Sequence, residues 1–235
     1  AVELWADILG PGANNAVPAA INVGTMNEVN ADAISVANPT WHGTPWEGSS
    51  GLAGALIGDQ SMNPPAQIRI GKMNFSIPDI PSPLPTGNGI DLVGTLYHEM
   101  GHALGISSLA LVGEDDDGNP VYGFDTEISP WDRHLVDRYG VTPTTDMEVV
   151  RSEPETAPGA DPVFTVGEMT ESGVLFKGTH VSEVLAGALN GGLPIEGFEG
   201  DSLDLSHIEL DRSLMSHQDY RNYQVFMEAE LAALQ

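Results

Sequence analysis

The run His98-Glu99-Met100-Gly101-His102 constrains this chain more than any other stretch. On an α-helix, side chains four residues apart stack on one face about 5–6 Å from each other. Two imidazoles so placed can point at one metal ion, with Glu99 beside the first and free of the ligand role. The flanks agree with a helix over residues 91–104. Asp91 is a side chain of the kind that caps a helix N-terminus. Val93, Leu96, Met100 and Leu104 supply its apolar positions, and Gly105 is the residue that most readily takes the positive φ of a helix end. A zinc ion with this helix as its anchor needs a third protein ligand and one open position. The nucleophile there is a water, and Glu99 is placed to take its proton.

Composition limits where that third ligand can come from. Among 235 residues there is no cysteine, so disulfides, thiolate metal sites and thiol catalysis are excluded, and any metal must be held by His, Asp or Glu. The formal net charge is −26, with only Lys72 and Lys177 as lysines. Such a surface repels nucleic acid and anionic membranes and suits a soluble secreted protein, a calcium-rich setting or a high-salt habitat; a secreted or cell-surface location is the expectation. No apolar run is long enough to span a bilayer. The start, "AVELWADILG", has no positively charged leader region and reads as a helix end, and "MEAELAALQ" stops mid-helix, so a piece of a longer chain is expected.

Along the chain, "AAINVGTM" and "ADAISVA" read as two neighbouring strands and "AQIRIGKMNFSI" as the clearest strand. After the central helix comes an acidic, turn-rich segment and then a helix in "SPWDRHLVDRYG". Residues 141–163 read as a loop. Short strands are expected in "DPVFTVGEM" and "GVLFKG", a short helix in "HVSEVLAGAL", and a longer one at the end. The order implies an α+β protein.

Three sources compete for the third ligand. A histidine six residues past His102 would complete the short motif H-E-x-x-H-x-x-G-x-x-H, but that position is Ser108. A carboxylate on a later element is the second, with Asp132 and Asp137 as candidates. A histidine returning after a long insertion is the third. His42, His134, His180, His207 and His217 remain, and His207 stands out because it precedes Met215 by eight residues.

Here the sequence resembles a known family. "HEMGHALG", an insertion, then "LPIEG", "SHIE" and "SLMS" are similar to the leishmanolysin family of metzincin zinc metallopeptidases, over the catalytic helix and roughly residues 190–235. The resemblance implies a metzincin-type zincin. Its N-terminal subdomain (1–106) would hold a mixed sheet plus helices, and its loop- and helix-rich C-terminal subdomain (107–235) would carry the methionine turn, with zinc in the cleft between. It implies His98, His102 and His207 as zinc ligands, Glu99 as general base, and Met215 as the residue under the metal. His217, two residues on, is a candidate oxyanion donor, with Tyr220 and Tyr223 behind it. The chain departs from the family in having no cysteine and in carrying Ile208 where the family has Trp.

The expected activity is hydrolysis of protein or peptide substrates, bound by strand addition to a sheet edge around Arg69 to Phe75. The alternatives are a non-catalytic, adhesive metal-binding surface module, which has no need of Glu99, and a zincin with a carboxylate third ligand. His180 reads as a helix-start residue and His134 as part of a solvated face. The run Glu114 to Asn119 has oxygen ligands of the kind Ca²⁺ takes but lacks the full calcium-loop frame, and a solvated acidic turn is the plainer reading.

Overall fold

In the computed structural model the described residues are 22–25, 33–36, 67–70, 75–76, 90–126, 128–152, 163–169, 173–217 and 226–234. The helix expected at the N-terminus, His42, Tyr220 and Tyr223 lie outside them. What is described is mixed α+β, with several small sheets and few helices. The chain divides into two compact units, one made of residues 1–106, 211–227 and 234, the other of residues 107–210, 228–233 and 235.

The first unit contains a three-stranded sheet of β1 (Asn22–Thr25), β2 (Ala33–Val36) and β3 (Gln67–Ile70). β3 runs parallel to β1 and antiparallel to β2 and lies between them. This corrects two expectations. β1 and β2 are not neighbours, because β3 hydrogen-bonds to both and occupies the place between them. Arg69, on the central strand, is paired on both sides and offers no edge for peptide addition. A second pairing joins β4 (Phe75–Ser76) to β5 (Ile90–Asp91), in parallel.

β5 leads straight into helix α1 (Leu92–Leu104), which packs on β2 and β3. Both ends of α1 follow the sequence reading. The Asp91 carboxylate accepts from the amides of Val93 at 2.8 Å and Gly94 at 3.1 Å. Gly105 closes the helix at φ 126°. A one-sided apolar stripe, however, is not what the helix shows. Thr95, His98 and Glu99 are as deeply buried as Tyr97 and Met100. A helix buried nearly all round belongs to a core, and polar side chains in such a place must have work for their polar atoms.

The second unit is built on a four-stranded sheet, in the order β10 (Phe164–Thr165), β9 (Met147–Val150), β7 (Pro120–Phe124), β6 (Leu111–Glu114). The acidic segment is therefore the turn of a β6–β7 hairpin, and a strand crosses the region 141–163 that reads as loop. The expected helix in "SPWDRHLVDRYG" is also corrected. That segment forms a 3₁₀ turn at Asp132–His134 and then β8 (Leu135–Val136). Two aspartates draw the backbone away from helix, as short acidic side chains can. Asp132 Oδ2 accepts from the amides of Ser129 and Leu109. Asp137 accepts from the amides of Tyr139, Val141 and Thr165.

β8 pairs with β11 (Leu175–Phe176), and β11 with β12 (Leu193–Pro194). Trp131 stacks on Phe176 with centroids 4.3 Å apart and donates its indole N–H to the Leu205 carbonyl. The short strands and the helix expected in "HVSEVLAGAL" are present, the latter as α2 (Thr179–Leu185) packed on α3 (Glu228–Ala232). A last hairpin, β13 (Phe198–Glu199) with β14 (Ser202–Leu203), brings the chain to His207.

Asp91 is fully buried and is the only side chain that satisfies the amides of both Val93 and Gly94 among the described contacts. Asp91→Ala should therefore lower unfolding free energy by about 0.5–2 kcal/mol, read from the urea midpoint, and Asp91→Asn by much less. Equal losses in both would show that capping is not what Asp91 contributes.

Candidate metal centre

α1 presents His98 and His102 one turn apart, and each ring is fixed from behind. His98 Nδ1 donates to the Leu214 carbonyl at 2.8 Å, and His102 Nδ1 to the Ile106 carbonyl at 2.7 Å. A carbonyl can only accept, so both Nδ1 atoms carry the proton and both Nε2 atoms carry the lone pair. The two Nε2 atoms face each other at 3.0 Å. Bare lone pairs repel at that distance, and a shared cation or proton is what relieves them. Two nitrogens bound to one zinc at tetrahedral angles would stand roughly 3.3 Å apart. The pair therefore fits a zinc ion with little movement.

The turn containing Met215 belongs to the same unit. Met215 N–H donates to Ser213 Oγ and the Ser216 amide to the Ser213 carbonyl, and Leu214 and Met215 are fully buried. Leu214 thus orients His98 through its carbonyl while Met215 packs on the helix. A Cβ added to Gly101 would lie 2.4 Å from Met215 Sδ and 3.0 Å from its Cε. Gly101, the residue before His102, is what lets the methionine reach the helix backbone. Sequence reasoning missed this role. Its signal was a glycine kept inside a helix, where it costs about 1 kcal/mol relative to alanine.

In the second unit, His207 is held in backbone as well as side chain. Its carbonyl accepts from the Glu196 amide at 3.1 Å, and the Glu209 amide donates to the Pro194 carbonyl at 2.8 Å. An antiparallel bridge joins Ile195 to Ile208. "LPIE" and "SHIE" are thus paired segments. Asp204 Oδ2 meets His207 Nδ1 at 2.6 Å. Burial pushes the Glu209 carboxyl up to about 7. Ser108, at the position where the short motif would have its histidine, donates its amide to Ser206 Oγ, next to His207.

Within this unit the ligating atoms of Glu196, Asp204 and His207 lie within 4.8 Å of one another. Glu99 follows His98 in the helix and is 4% exposed. His217 is half-buried and belongs to neither group of candidate ligands found among the described residues. His180 is the second residue of α2, exposed and 3.5 Å from Glu183, and His134 is exposed beside Phe176. Asp132 takes backbone amides on Oδ2 and Asp137 on both oxygens, and neither joins a metal cluster among the described residues. In the acidic turn, the Asp115 carboxylate accepts from the amides of Asp117 and Asn119 and from the Asn119 side chain, and these bonds hold it below the usual carboxylate range. Its oxygens serve the turn.

No family model, curated protein or solved structure matches this chain.

The contact between Gly101 and Met215 leads to a coupled effect. Gly101→Ala should destabilise the protein by about 1–3 kcal/mol, the usual cost of overpacking. Met215→Ala should then cost less in the Gly101→Ala background than in the natural chain, because the two share one space. A double-mutant cycle on chemical unfolding measures this, and strictly additive losses would contradict the contact.

Proposed function

We propose that this protein is a zinc-dependent endopeptidase of metzincin type, similar to the leishmanolysins, acting on protein or peptide substrates outside the cell. The observation that carries the reading is the pair of Nε2 atoms of His98 and His102 facing each other at 3.0 Å, with Met215 packed against the helix between them. The donor set also suits the ion: three neutral imidazoles and no thiolate match a catalytic zinc site with one position left open. Zinc held there supplies a Lewis acid that polarises a peptide carbonyl and acidifies a water.

The chain's own residues do the rest. Glu99 takes the proton from the attacking water and passes it to the leaving amine. Its burial lessens competition from bulk solvent. His217, two residues past Met215, donates a hydrogen bond to the oxygen that gains charge. The −26 charge supports a secreted or surface location, and no described helix is long and apolar enough to cross a membrane.

Glu99→Gln should keep zinc and lose peptide cleavage by about 10²–10⁴-fold, the usual loss on removing a general base. Cleavage of a denatured protein substrate at close to the natural rate by Glu99→Gln would rule out the proposed chemistry and favour a metal-binding module. His207→Ala should lose zinc on dialysis against a weak chelator, as measured by plasma mass spectrometry, while His134→Ala and His180→Ala keep it. Zinc retention by His207→Ala would remove it from the ligand set.

A further inference from the structure

We propose that Asp204 is the positioning residue for the third ligand, holding the His207 imidazole with its proton on Nδ1 and its Nε2 lone pair aimed at the metal. The inference rests on the zinc reading above and concerns how that site is built. The main chain of His207 is fixed by pairing with Pro194–Glu196, but this leaves the ring free to turn and to carry its proton on either nitrogen. Asp204 removes both freedoms. Its Oδ2 accepts from His207 Nδ1 at 2.6 Å, a length typical of charge-assisted bonds. Its Oδ1 accepts from the Ser206 amide at 3.1 Å, which anchors the carboxylate itself. The two side chains are only 15% and 19% exposed, so water competes little.

His98 and His102 have their Nδ1 atoms on backbone carbonyls. His207 alone in the triad has a carboxylate there, which makes its Nε2 the most electron-rich of the three. Glu196, Asp204 and His207 also lie close enough together to form a second cation cluster. The 2.6 Å contact argues against that use, because its length is that of a charge-assisted hydrogen bond, in which His207 Nδ1 holds a proton and has no lone pair for an ion.

Both Asp204 oxygens are engaged, and this gives the test its discrimination. Asparagine has the same shape but one acceptor for two donors. It must either abandon the Ser206 amide or turn its NH₂ towards Nδ1, which inverts the tautomer. Zinc affinity would be measured by competition with a chromophoric chelator for the natural chain, Asp204→Ala, Asp204→Asn and His207→Ala. Long-range ¹H–¹⁵N spectra of the zinc-free proteins would report which His207 nitrogen is protonated. Both Asp204 variants should bind zinc about 10–100-fold more weakly, and the natural chain should hold the His207 proton on Nδ1, a preference that the Asp204 variants weaken. A purely structural role would leave the tautomer unchanged. If Asp204→Ala fails to fold, the isosteric Asn variant carries the test.

Affinities within about threefold of the natural chain in the folded Asp204 variants, or a His207 protonated on Nε2 in the natural chain, would overturn the inference. His207→Ala separates the two levels. Zinc retained there overturns the three-histidine reading and this inference together. Zinc lost there with Asp204 variants unaffected overturns the positioning role alone.

Discussion

Two imidazole nitrogens, 3.0 Å apart on one helix face, depend on hydrogen bonds made on the opposite edges of their rings. Take away the carbonyls of Leu214 and Ile106 and each ring can swap its proton and rotate, and the helix carries two ordinary histidines. Ile106 lies just past the helix end, and its amide also closes onto the Gly101 carbonyl. The way α1 terminates therefore decides how its second histidine is oriented. Leu214 belongs to the turn whose next residue packs on Gly101. Capping, turn geometry and ligand orientation are in this way one set of constraints, satisfied together or not at all.

The burial of this polar apparatus follows from the same source. His98 and Glu99 are nearly inaccessible. Buried polar atoms without partners cost about 1–3 kcal/mol each. The core around α1 tolerates them because ring N–H groups meet backbone carbonyls and, in the proposed function, Nε2 atoms meet a cation. Removing the metal leaves the two Nε2 atoms facing each other. Metal affinity and fold stability are linked on this view, since an ion that binds only the folded form stabilises it by mass action.

Much of this was legible in the residues. The bounds of α1, its Asp91 cap and its Gly105 stop follow from local chemistry, and local chemistry is what a single sequence displays well. The pairing of "LPIE" with "SHIE" was legible only as a resemblance, because nothing in either tetrapeptide names its partner. The sheet order was not legible. "AAINVGTM" and "ADAISVA" look like neighbours, yet a strand far along the chain lies between them. The segment at 129–140 has the periodicity of a helix, but Asp132 and Asp137 satisfy backbone amides that a helix would have used. The β6–β7 hairpin did have a signal, Asp117-Gly118 between two β-rich runs, masked by the acidic charge around it. Asp204 had one as well, an acid three residues before the histidine, but that spacing means something only once a turn brings the two together.

The stapling of His207 to Pro194–Glu196, and of Ser108 to Ser206, has a consequence for how such a chain can vary. The stretch between Ser108 and Pro194 leaves one fixed seam and returns to it. Its closure entropy grows only slowly with length. The register of His207 is thus decided by local pairing with Pro194–Glu196 rather than by the whole excursion. Loops within residues 109–193 can therefore change length without moving the seam that holds His207.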